Sequence, residues 1–125
     1  MKRESLQDMD RSTEELVDLF VRLALDQDKA IRRDDNAMFS RLFDRMDAVK
    51  EELKRRPGDQ RRALIDLHNH PNVQVRLKSA IATLAIVPDK ARRLLQVIAD
   101  SREYPQAGDA GMTLYSLEQG IFKPT

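Results

Sequence analysis

The sequence predicts an all-α protein of about six helices arranged as three antiparallel hairpins. Three observations carry that expectation. Apolar residues recur at three- and four-residue spacing along most of the chain, the four glycines and five prolines gather at a handful of positions, and β-branched runs are few. At 125 residues the chain suits one core, with about two-thirds of the unfolded surface buried. The expected organisation is a mobile polar tail over residues 1–11, one helical domain over 12–122 and a short C-terminal tail over 123–125.

The first helix is expected over about 13–31. Ser12 followed by Glu15 makes a capping box, and Leu16, Leu19, Phe20 and Leu23, with Val17, Val21 and Ala24 alongside, give a broad apolar face. That face is wider than one neighbour can bury. Val17, Val21 and Ala24 are therefore expected to be covered by the N-terminal tail, by Ile121 and Phe122, or by a second copy of the chain. Asp34 or Asp35 can cap a second helix with a narrow seam of Phe39, Leu42, Met46, Val49 and Leu53, which Pro57 and Gly58 end.

Asp59 can cap a short third helix over about 60–69, with Ala63, Leu64, Leu67 and His68 inward. The stretch from His70 to Val87 is the core helix. Leu77, Ala80, Ile81, Leu84 and Ala85 form one stripe and Val75, Ser79, Ala82 and Ile86 a second, so the helix must be covered on two sides. Gln74, Arg76, Lys78 and Thr83 are its polar interruptions, and Pro71 opens it where a missing N–H costs nothing. Pro88 starts a fifth helix to about Asp100, with Ala91, Leu94, Leu95 and Ile98 apolar. After a loop from Ser101 to Gly108, Asp109 is expected to cap a sixth helix carrying Ala110, Leu114 and Leu117 before Gly120 ends it.

The composition excludes several classes of chemistry. Lys and Arg number 22 against 21 Asp and Glu, so no global field draws the chain to nucleic acid, membranes or acidic substrates. There is no cysteine, hence no disulfide and no thiolate zinc site. No run approaches the ~18 apolar residues of a membrane span, and a cytoplasmic protein without a membrane partner is expected. Ser40, Ser79, Ser101 and Ser116 lack a nucleophile-elbow context and neither histidine has an evident serine partner. Almost every acid has a base three or four residues away, which favours surface pairing over a raised pKa. An enzyme is not expected, and no cofactor is implied.

Three constellations remain. Lys54, Arg55, Arg56, Arg61 and Arg62 bracket the Pro57–Gly58 turn and could hold a phosphate, a carboxylate or a nucleic-acid backbone, with Lys78, Arg92 and Arg93 on a neighbouring ridge. Against this, Glu51, Glu52, Asp59 and Asp66 can neutralise the corner, and six aromatics leave little for base stacking. Asp66, His68 and His70 fall at the wrong spacing for one helical face, so no metal site is expected; His68 packs and His70 caps the core helix. Residues 104–112 form the oddest stretch. Tyr104, Gln106 and Asp109 are candidate ligand contacts there, or Gly108 is left-handed, Asp109 a cap, and Gly111 the place where the sixth helix approaches the fifth.

Two stretches carry a resemblance. NHPNVQVRLKSAIATLA resembles the second helix of a HEAT or armadillo-type repeat, with Pro71 and Asn72 in reversed order, then Val75, Arg76, Ala80 and Leu84. The span from Leu16 to Gly120 resembles a small bacterial family catalogued only as a domain of unknown function. The marks are ELKRRPGDQRRAL (52–64), HPNVQVRLKSA (70–80) and PQAGDAGM (105–112). The resemblance covers about five-sixths of the chain and implies an α-α superhelix of armadillo type. It implies no activity and no site residues.

The functional expectation is a non-catalytic helical-repeat module that binds a protein or peptide, since stacked hairpins make extended surfaces. The alternative is anion or nucleic-acid binding at the corner from Lys54 to Arg62. An immunity-type partner of a toxin is the third reading, and self-association stays open.

Overall fold

The fold follows from where helices can start and where they must stop. It is a computed structural model that describes residues 7–125, and the described residues are helices and their connections, without a strand. Helix α1 spans Thr13–Arg32. Its capping box is formed as expected: Glu15 N–H donates to Ser12 Oγ at 3.0 Å and Ser12 N–H to Glu15 Oε1 at 2.8 Å. Those hydrogen bonds hold the Glu15 carboxyl below the usual carboxylate range. Leu16, Leu19, Phe20, Leu23 and Ala24 are buried, while Val17 and Val21 are half-buried. Asp34, in the left-handed region at φ 54°, turns the chain into α2, Asn36–Arg55, which Asp35 caps by accepting from Met38 N–H at 3.0 Å. The narrow seam of α2 buries Met46, Val49 and Leu53, and α1 packs on α2 along it.

Gly58 and Asp59, at φ 80° and 52°, reverse the chain. The third element, Gln60–Asn69, has the expected bounds but is a 3-10 helix. In that tighter winding, side chains three apart eclipse, and Arg61 and Leu64 are both buried.

The core helix is shorter than expected. Helix α3 spans Val73–Ala82 rather than reaching Val87. Asn72, not His70, is its cap: Asn72 Oδ1 accepts from Gln74 N–H at 2.8 Å and Val75 N–H at 3.1 Å, and His70 Nδ1 in turn accepts from Asn72 N–H at 3.0 Å. At the other end, Pro88 disfavours helical backbone at Val87, which adopts φ −129° and ψ 65°. The helix closes at Thr83, and Ala85 lies outside it and is exposed. Gln74 and Thr83, two of the expected polar interruptions, are fully buried.

Helix α4 (Pro88–Asp100) buries Ala91, Leu95 and Ile98 and leaves Lys90, Arg92, Arg93 and Gln96 outside. Helix α5 (Gln106–Glu118) packs most extensively on α4, and α3 packs against both. Leu77, Ala80, Leu84, Leu95, Ile98 and Ala110 lie at the centre of that cluster. After α5 the chain closes a Schellman motif: Gly120, at φ 70°, donates to Leu117 O at 3.2 Å, and Ile121 N–H donates to Ser116 O at 2.9 Å. Phe122 folds back on the cluster, and Ile121 stays exposed.

The chain divides into two compact units, the first ending at Ala63 and the second beginning at Leu64. Of the tail expected over 1–11, residues 1–6 lie outside the described residues. Residues 7–11 are held against the first unit: Asp8 is fully buried and takes a bidentate pair from Arg45, at 2.6 and 2.8 Å. No described helix is long and apolar enough to cross a membrane.

Candidate functional site

The five cations around the Pro57–Gly58 turn are turned to different tasks. Arg56 is half-buried; its Nε donates to Glu52 Oε2 at 2.9 Å, and its Nη2 donates to the backbone carbonyls of Asp8 at 2.9 Å and Arg11 at 2.6 Å. Arg55 pairs with the same Glu52 carboxylate. Burial alone pushes the Glu52 carboxyl up, but the hydrogen bonds from Arg55 and Arg56 outweigh it and hold the group below its ordinary range. Arg61 is buried and grips Asp59 with both arms of its fork, at 2.9 and 2.7 Å, which holds the Asp59 carboxyl low. Arg62 Nε donates to Gly58 O at 3.2 Å, and Lys54 is half-buried. Arg56 and Arg61 are thus turned inward on partners of the same unit, while Arg55 and Arg62 stay exposed.

Asp66, His68 and His70 diverge. His68 is buried, with Nε2 2.9 Å from Thr83 Oγ1, whose hydroxyl donates to Ser79 O at 2.8 Å. A hydroxyl has one proton, so His68 Nε2–H is the donor of this pair. Burial pushes the imidazole below its usual range, with Lys90 adding to the effect and the Ser79 backbone opposing it. His70 is used on Asn72, and Asp66 is exposed.

The stretch from Tyr104 to Met112 corrects three expectations. Helix α5 starts at Gln106, three residues before the expected cap, because the Glu103 and Pro105 carbonyls accept from Ala107 N–H and Asp109 N–H at 2.7 and 3.0 Å. Asp109 sits in the first turn, where an acid suits the helix N-terminus. Gly108 is helical, since only Gly58 and Gly120 among the glycines have positive φ. Gly111 does not meet α4: a Cβ there would find no atom within 4 Å.

The three contact candidates of that stretch have separate surroundings. Gln106 is buried and its Nε2 donates to Gln74 Oε1 at 2.9 Å. Asp109 faces Lys78 of α3. Burial lowers the Lys78 ammonium and raises the Asp109 carboxyl, and the charge of each opposes the shift of the other. Tyr104 stands 71% exposed, beside Gly108.

Tyr104 begins a line that the periodicity argument did not single out. Ala107, Ala110, Leu114 and Leu117 make the inner face of α5, and Gly108, Met112 and Tyr115 fall on the opposite side. Met112 is 64% and Tyr115 53% exposed. The signal was present in the sequence, because α5 has more apolar residues than one buried stripe can take. By contrast, α4 turns Arg92, Arg93 and Gln96 outward.

The sequence pattern of a family described as a domain of unknown function (DUF2019) matches residues 14–118. The crystal structure of the protein RPA1889 from Rhodopseudomonas palustris CGA009 is similar at 47% sequence identity, covering 94% of this chain and 97% of that one, with a TM-score of 0.90. No curated protein matches the chain.

Proposed function

Because the chain belongs to the DUF2019 family, a domain of unknown function, we propose from its own surface that it is a non-catalytic helical module that binds a protein partner through the exposed face of α5. The observation that carries this reading is the uncharged line of Tyr104, Gly108, Met112 and Tyr115 on the side of α5 opposite the core. Exposed aromatic and methionine side chains are the types enriched at protein interfaces. Stacked hairpins of HEAT or armadillo type present surfaces of this kind, and that arrangement is part of the same proposal, with the cytoplasm as its setting.

The non-catalytic part rests on the paired acids. Asp8, Glu52 and Asp59 are each tied to an arginine, which favours a structural role over proton transfer. Arg56 and Arg61 are similarly enclosed with their partners, which favours the face of α5 over anion binding at the basic corner.

The test is a pull-down from host lysate with the native chain and with Met112→Glu, each with and without nuclease and at low and high salt. The expected result is one identified protein that survives nuclease and salt with the native chain and is lost with the variant. Equal retention by both, or recovery of nucleic acid alone, overturns the reading.

A further inference from the structure

We infer that the chain recognised by the exposed face of α5 is a second copy of this one, seated antiparallel across a two-fold axis. This rests on the reading of that face as a protein-binding surface and adds the identity of its occupant.

The register supplies the reason. Tyr104, Gly108, Met112, Tyr115 and Gln119 follow one another at three- or four-residue intervals along the outer side of α5 and its two ends, with Gly111 next to Met112 at the margin of that line. An antiparallel copy pivoted between Gly111 and Met112 sets Tyr115 against Gly108, Met112 against Gly111, and Tyr104 against Gln119. Each set of two is repeated by symmetry, as an isologous interface requires. The bulkiest exposed side chains of the helix thus meet its two glycines. Both glycines have room: a Cβ at Gly111 has nothing within 4 Å, and one at Gly108 has only the Tyr104 ring at 4.0 Å.

The charges agree with the same seating. Exposed Arg102 precedes the line, and exposed Glu118 lies near its far end. A parallel copy would set like charges together, whereas an antiparallel copy sets Arg102 at the end that carries the other's Glu118. Between these ends the line itself bears no charge.

The size sets the strength. Helix α5 has 13 residues, so it is about 20 Å long. One such helix per partner gives an interface below the standard size, in the range of weak, reversible complexes. The dimer is therefore expected at high protein concentration and not as an obligate state.

Sedimentation velocity over a concentration series tests this on the full chain. Gly108→Leu fills the recess meant for Tyr115 while replacing a poor helix former by a good one, so loss of association cannot be blamed on loss of the helix. Arg102→Glu sets two acids together, and Arg102→Glu combined with Glu118→Arg restores an opposite pair. The expected result is a native dimer that Gly108→Leu and Arg102→Glu each weaken at least about tenfold and the double exchange recovers. A native chain that stays monomeric at the highest concentration overturns the second copy as occupant, while the lysate experiment still decides the protein-binding reading. A dimer indifferent to all three variants overturns the assignment of this face to self-association.

Discussion

The Gln106 side-chain amide donates to Gln74 Oε1 at 2.9 Å, and both side chains are buried between α5 and α3. Truncating either leaves a buried amide without that partner, so Gln106→Ala or Gln74→Ala should cost about 1–3 kcal/mol. Making both changes to Ala together should cost less than the sum of the single changes. Urea unfolding of the four chains as a double-mutant cycle measures the coupling.

Asp8 is fully buried against Arg45, whose own side chain is mostly enclosed. Asp8→Ala takes the bidentate carboxylate away from that guanidinium, and a loss of about 3 kcal/mol is expected. Hydrogen exchange should show faster exchange around residues 7–11. An unchanged unfolding midpoint would mean that the contact contributes nothing.

His68 makes stability depend on pH. Its folded pKa lies below the ordinary value of 6.5 because the ring is buried. The unfolded chain therefore binds the proton more readily than the folded one. Stability should be insensitive to this group above about pH 6.5 and should decline as the pH falls from there through the lower folded pKa. His68→Gln should flatten that part of the profile, as read from thermal unfolding at a series of pH values.

Met112→Glu should change stability by no more than about 0.5 kcal/mol, because the side chain is 64% exposed. The same change introduces a charge in the middle of the α5 line. Binding and folding should therefore separate in this variant, by pull-down and by circular dichroism respectively.

Gly111→Ala should stabilise the isolated chain by about 0.5–1 kcal/mol. The residue is helical and a Cβ there meets nothing within 4 Å, so only the backbone entropy changes. Urea unfolding in dilute solution is the check.

Local signals were legible in the sequence and remote ones were not. The Ser12–Glu15 box, the Asp35 cap and the C-terminal part of the α2 seam, Met46, Val49 and Leu53, all depend on residues a few positions apart, and each formed as expected, while Phe39 and Leu42 are half-buried. The Gln74–Gln106 and Asp8–Arg45 pairs join residues 32 and 37 positions apart, and no spacing rule reaches that far. The early start of α5 escaped for a different reason. Two glycines and a proline read as a loop by propensity, but the burial of Ala107 and of Ala110, the latter in the cluster with α3 and α4, offsets the cost of a helical Gly108. At the basic corner, the sequence showed both the cations and the acids able to neutralise them. Which prevailed depended on side-chain reach, visible only once Arg56 and Arg61 had folded inward.

Arg56 fastens the first described residues by their peptide carbonyls, at Asp8 and Arg11. A peptide oxygen is common to all twenty amino acids, so this clasp does not inspect what it holds. Exposed Met9 and Asp10 between those two points are accordingly open to exchange. A library randomised there should tolerate most side chains while position 8 keeps its acid, giving the chain a stretch where a label or an epitope can be written without disturbing the anchorage.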